Sequence, residues 1–239
     1  MFGLMASLAA VAAGCTFAGV HSMLPRSQLY GASFHGAAPG SRRLALTFDD
    51  GPNDRYTSQL LEVLARHEVK ATFFLLGRYV EARPELARAV AEAGHAIGNH
   101  GYSHRNLIFL SDNETRRELR RTSQAIAAVA GIEPALFRPP FGGRRPGTFA
   151  LARQCGMTPV MWRIIGNDWR AGSAESIVRR VCSRIKGGEV IVLHDGGHRA
   201  LGADRAHTVR ATDEIVRRCQ GVGFRFVTVP EMMSEGGST

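Results

Sequence analysis

The chain has 239 residues and 44% hydrophobic content, enough to bury one sizeable core and more in keeping with one domain than with two. Its 30 basic against 21 acidic side chains give a formal charge of +9, and every cation except Lys70 and Lys186 is arginine. Such a surface would suit an anionic polymer, membrane headgroups or plain solvation. No dense basic run is interleaved with aromatics, which argues against nucleic acid as a partner. The four cysteines (Cys15, Cys155, Cys182 and Cys219) form no Cys-x-x-Cys pair, which argues against a cysteine zinc site.

Residues 1–24 carry no Asp, Glu, Lys or Arg and are rich in Ala, Gly, Leu and Val. This pattern predicts a signal peptide or a short membrane anchor, hence a secreted or envelope protein with possible membrane association through that segment. Ala12-Ala13-Gly14-Cys15 resembles a lipoprotein cleavage site, which would make Cys15 an acylation site. Residues 25–42 read as a linker, and a tail is expected over 233–239.

From Leu44 onward, short apolar runs alternate with amphipathic segments. Strands are expected at 44–48, 71–77, 95–99, 136–139, 158–163, 189–194 and 224–229. Helices are expected near 57–66, 84–93, 112–130, 147–155, 174–185 and 207–219. Ser111 and Glu114 have the spacing of a capping box, and Gly94, Gly131, Gly156 and Gly221 stand where helices should stop. Val190-Ile191-Val192-Leu193 is continuously apolar, as a parallel strand buried on both faces should be. Seven strands alternating with helices predict a TIM-like α/β barrel, with an open doubly wound sheet as the alternative. No Gly-x-Gly-x-x-Gly follows the first strand, which argues against a dinucleotide site.

Polar residues gather where these strands should end, the face on which parallel barrels carry their chemistry. Thr47-Phe48-Asp49-Asp50-Gly51-Pro52 closes the first strand with two adjacent carboxylates, a costly arrangement unless a positive charge sits beside them. A divalent metal would serve, with His100 and His104 completing its shell. Arg138 precedes Pro139-Pro140-Phe141-Gly142, Asp168-Trp169 follow the fifth strand, and His194-Asp195 end the sixth.

These five ordered motifs resemble those of the polysaccharide deacetylases, carbohydrate esterase family four. The resemblance places a catalytic domain over 43–232 and implies a distorted (β/α)7 barrel. It also implies hydrolysis of N-acetyl groups on glycans containing N-acetylglucosamine, such as peptidoglycan or chitin-like polymers. Residue by residue, it implies Asp50, His100 and His104 as metal ligands, a set that suits zinc and also admits cobalt, nickel or iron. Asp49 would be the general base and His194 the general acid. Arg138 would hold Asp49, and Asp168 would orient Arg138. Phe141 would donate its backbone N–H to the oxyanion, with Trp169 and Leu193 walling the substrate pocket.

The chain departs from the family pattern at three positions. Gly101 replaces a usual Ser or Thr, which leaves the loop either looser or braced by Ser103; Ile165 replaces a frequent Asp; Phe141 replaces a frequent Tyr. His95, His198 and His207 read as non-ligands. Hydrolysis of an O-acetyl ester or a non-glycan amide is the alternative activity. A glycan-binding module without catalysis would require substitutions at Asp49, His194 or the metal ligands Asp50, His100 and His104, and all five are present.

Overall fold

The protein is described here by a computed structural model covering residues 16–234. Cys15, with its expected acylation, and the first fifteen residues of the expected leader lie outside the described residues. Residues 16–23 are helical (α1). No helix among the described residues is long and apolar enough to cross a membrane.

The strands are β1 (Arg43–Gly51), β2 (Thr72–Leu75), β3 (Ala96–Asn99), β4 (Leu136–Phe137), β5 (Thr158–Pro159), β6 (Ile164–Ile165), β7 (Val190–His194) and β8 (Arg225–Phe226). They pair in parallel in the order β5-β4-β3-β2-β1-β7-β6, with β8 against the first residues of β1. The seven strands of that path curl into an incomplete barrel, as the sequence predicts. Several expected strands are shorter than their apolar runs: 136–139 pairs only over Leu136–Phe137, and 224–229 only over Arg225–Phe226 before a helix begins at Val229. The stretch 158–163 divides, giving β5 at one end of the sheet and feeding β6 at the other. The stretch 71–77 stops at Leu75, because Gly77 already opens a helix.

The helices are α2 (Tyr56–Arg66), α3 (Gly77–Ala82), α4 (Pro84–Glu92), α5 (Asp112–Ala130), α6 (Thr148–Gln154), α7 (Ala174–Cys182), α8 (Ala206–Gly221) and α9 (Val229–Ser234). The short helices α3 and α9 were not anticipated. The capping box of α5 forms as expected: Glu114 N–H donates to Ser111 Oγ at 3.3 Å, and Ser111 N–H to Glu114 Oε2 at 2.9 Å. Gly131 ends that helix at φ 66°. The buried residues Ala174, Ile177, Val178 and Val181 of α7 follow the i, i+3, i+4, i+7 spacing of one helical face.

The period of β1 feeds two of the three apolar clusters found among the described residues. Leu44, Leu46 and Phe48 join the apolar layer beneath the surrounding helices. Ala45 belongs to a separate inner cluster with Phe74, Leu136, Val160, Val190 and Met232. Thr47 and Asp49 continue that inner face, where both meet Arg138. Each fully buried Leu or Phe on the outer face contributes about 1.5–3 kcal/mol.

Residues 25–42 are tied to the sheet. Phe34 N–H donates to Pro159 O at 2.9 Å, and Met161 N–H donates to Phe34 O at 2.7 Å. Ala37 N–H reaches Gly188 O at 2.8 Å. This strap therefore links the end of β5 to the start of β7. Further upstream, the fully buried Arg144 donates to Ser27 O at 3.0 Å and to Gly142 O at 3.1 Å.

Candidate active site

In a regular strand, adjacent side chains point to opposite faces, so Asp49 and Asp50 should not meet. The backbone removes this obstacle. Asp49 pairs with Phe74 and Gly51 with Leu75, which leaves Asp50 as the extra residue of a bulge, at φ 73°. Both carboxylates then line one cleft.

Across it stand His100, just beyond β3, and His104. Asp50 Oδ1 lies 3.0 Å from His104 Nε2 and 3.5 Å from His100 Nε2. Ligand atoms of the three residues all lie within 4.8 Å of one another, and all three residues are buried. Asp50 Oδ1 has no hydrogen-bond partner. A buried, unpartnered carboxylate oxygen facing two imidazole nitrogens fits a divalent cation. Burial alone would raise the Asp50 carboxyl, but the His100 and His104 imidazoles beside it outweigh burial and hold the group well below the usual carboxylate range. Burial also pushes the His104 imidazole down, toward the neutral form that ligates metal. His100 donates from Nδ1 to Arg138 O at 2.8 Å, which leaves Nε2 free to face the cation.

Asp49 is held apart from this trio. Its Oδ1 accepts from Arg138 Nη1 at 2.7 Å, and its Oδ2 stays 3.9 Å from His100 Nε2. Arg138 is fully buried and well satisfied: it donates to Thr47 Oγ1 at 2.7 Å, Val160 O at 3.3 Å and Met161 O at 3.4 Å. Its guanidinium also stacks 4.1 Å from the Phe74 ring centroid.

Asp168 does not orient Arg138, contrary to the sequence expectation. It belongs to His194. Asp168 Oδ1 is 2.9 Å from His194 Nδ1, and its Oδ2 accepts from His194 N–H and Thr208 Oγ1, each at 2.8 Å. The reason is placement: Asp168 follows β6, the neighbour of β7, whereas Arg138 follows β4 on the other side of β1. Burial pushes the His194 imidazole down, but the Asp168 carboxylate prevails and raises it to about 9. Asp49 and His194 are register partners on neighbouring strands.

The cleft encloses about 840 Å³. Phe141 and Trp169 stand at its walls, 46% and 41% exposed. The Phe141 ring packs edge-on against His104, and Trp169 edge-on against His194. Leu193 is not a wall residue. It is fully buried in the outer apolar layer, and Val192 takes the place facing the cleft. Strand alternation decides this, because Val192 shares a face with His194 and Leu193 does not. Leu193→Ala should therefore cost about 2–5 kcal/mol of stability in urea unfolding. Its KM for substrate should stay near that of the unaltered protein.

Of the two alternatives that Gly101 leaves open, the structure has the braced loop, with Ser103 as the brace. Ser103 Oγ donates to Glu118 Oε1 at 2.8 Å, and the Tyr102 and Ser103 N–H groups reach Glu118 Oε2 at 2.9 and 2.8 Å. Sequence reasoning missed Glu118, whose polar side chain on the helix offered no distinct signal. It also left Asp195 without a role. That buried carboxylate accepts from Thr57 Oγ1 at 2.6 Å, and a Cβ on Gly51 would fall 2.0 Å from its Oδ2. Glycine after the two aspartates is thus a requirement for space. His95 and His207 lie away from the trio, as expected: His95 Nδ1 accepts from Ala71 N–H at 3.2 Å, and His207 is near Arg210. His198 lines the cleft.

Residues 36–160 match the family model described as polysaccharide deacetylase. A peptidoglycan-N-acetylglucosamine deacetylase of Bacillus cereus is 38% identical over 191 residues, spanning 79% of this chain and 67% of that one. The chain belongs to the polysaccharide deacetylase family. A chitooligosaccharide deacetylase of Rhizobium leguminosarum bv. trifolii is 33% identical, covering 87% of this chain and 100% of that one. A solved structure of a peptidoglycan N-acetylglucosamine deacetylase superposes with a TM-score of 0.78 at 35% identity, covering 84% of this chain and 91% of that one. As a polysaccharide deacetylase the protein is a hydrolase. Its family and its buried Asp50–His100–His104 trio together support a divalent metal.

Proposed function

We propose that this deacetylase removes N-acetyl groups from N-acetylglucosamine units of a cell-envelope glycan, peptidoglycan or a chitin-like oligomer, and releases acetate. The observation that carries the reading is the division of labour between adjacent carboxylates. Asp50 faces His100 and His104, while Asp49 is tethered to Arg138 outside that trio.

Asp50, His100 and His104 would hold the cation, and one carboxylate with two imidazoles favours zinc. When bound, the cation polarises the acetyl carbonyl and acidifies water. Asp49 takes the proton from the attacking water, and its tether to Arg138 keeps it ionised and aimed. His194, held protonated by Asp168, gives its proton to the departing sugar nitrogen as the C–N bond breaks. The N–H of Phe141 supports the negative charge that develops on the carbonyl oxygen. Phe141, Trp169 and Val192 enclose the sugar and the acetyl methyl. The uncharged stretch 1–24 supports action in the envelope or outside the cell.

Acetate release from acetylated chito-oligosaccharides and from peptidoglycan tests the proposal. Activity should vanish after chelation and return with added zinc or cobalt. A folded, zinc-loaded protein that releases no acetate from any acetylated glycan overturns it.

A further inference from the structure

The two imidazoles of the trio are held by different means. His100 is fixed by a hydrogen bond from its second nitrogen. His104 has none: its Nδ1 is buried without a partner. Its backbone sits at φ 60°, a conformation that an L residue adopts only when its surroundings impose it. What restrains the ring is a pair of other rings. His198 lies nearly parallel to it, with centroids 4.5 Å apart and planes at 15°. Phe141 meets it edge-on at 4.3 Å and 74°. Phe141 and His198 also touch each other edge-on at 5.2 Å, which closes the group of three.

We propose that His198 is a positioning residue whose ring, together with Phe141, clamps the metal ligand His104 in its ligating orientation. This rests on the metal reading of the trio. His198 is built to be rigid. The Tyr79 hydroxyl donates to Gly197 O at 3.0 Å, and the Arg78 guanidinium donates to the His198 carbonyl. Both come from α3, and Arg78 also stacks on the Tyr79 ring, 4.6 Å from its centroid. His198 is not a fourth ligand. The compact group of ligand atoms found among the described residues belongs to Asp50, His100 and His104, without His198. The flat face, and not a ring nitrogen, does the positioning. Aromatic contacts of this kind favour one ring orientation, and a ligand free to rotate binds its cation less well.

The test is zinc affinity of the full chain, measured by competition with a chromogenic chelator, with cobalt substituted to read ligand geometry from its visible absorption. His198→Ala should weaken zinc binding by ~10-fold and alter the cobalt bands. His198→Asn, polar but without a ring, should behave as Ala does. His198→Phe should restore both affinity and spectrum. Thermal unfolding of the metal-free variants, matching that of the unaltered protein, shows that the fold is kept. Unchanged affinity in His198→Ala overturns the clamp, and so does a Phe variant as weak as Ala, since a ring nitrogen would then be what matters. An unaltered protein that binds no zinc overturns instead the metal reading on which the clamp rests.

Discussion

Asp49→Asn should lower kcat by about 10²–10⁴-fold and leave zinc affinity nearly unchanged. The basis is that Asp49 lies next to the metal trio without belonging to it. Its Oδ1 is taken by Arg138, and its Oδ2 is 3.9 Å from His100 Nε2. Asparagine keeps an acceptor for the guanidinium but has no oxygen basic enough to take a proton from water. The same change removes the countercharge of a fully buried arginine. Breaking a buried ion pair outright costs about 3–5 kcal/mol. Asparagine should cost less, because Thr47 Oγ1 and the Val160 and Met161 carbonyls still accept from Arg138. Acetate release, chelator competition and thermal unfolding read the three effects separately. Full activity in this variant refutes the base assignment.

Asp168→Asn should disable the other side of the cleft, and it should do so in a pH-dependent way. Burial depresses His194, and the Asp168 carboxylate more than compensates, raising it to about 9. Without that charge the His194 pKa falls, and the proton needed by the leaving nitrogen is lost at a lower pH. The alkaline limb of kcat/KM should move toward acid, with a rate loss of about 10²-fold or more at about pH 8. The sign for stability follows from linkage. His194 has a raised pKa in the fold, so its pairing stabilises fully below about 6.5 and is lost as pH rises through about 9. Asp168 has a lowered pKa, so its share is present above its unfolded value and lost as pH falls through the folded one. Asp168→Asn should therefore destabilise most near neutral pH and least at either extreme. Thermal unfolding across pH checks this, and an alkaline limb that does not move overturns the role given to Asp168.

The strand ends were legible because their signal is redundant. Apolar runs of the right length stop in Asp, His or Arg five times, and parallel topology turns all five toward one face. What could not be read was local geometry that breaks a period. Nothing in Thr47–Pro52 announces that Asp50 is bulged, yet the bulge is what lets neighbouring carboxylates share a cleft. Leu193 was misplaced because a continuously apolar strand gives no parity; only its neighbour His194 sets which residues face inward. Asp168 was given to the wrong partner because strand order is not sequence order, and β6 lies beside β7 and not beside β4. The two-residue strands β4, β5, β6 and β8 are too short to carry a period of their own.

The strap over residues 34–37 has a practical consequence for anyone shortening the chain. A version begun at Arg43 would keep every motif residue and the whole of β1. It would also strip the partners from Pro159, Met161 and Gly188, leaving unpaired backbone groups beside β5 and β7. Bare strand edges recruit other strands, so that trimmed protein should self-associate in solution more than its uncut parent.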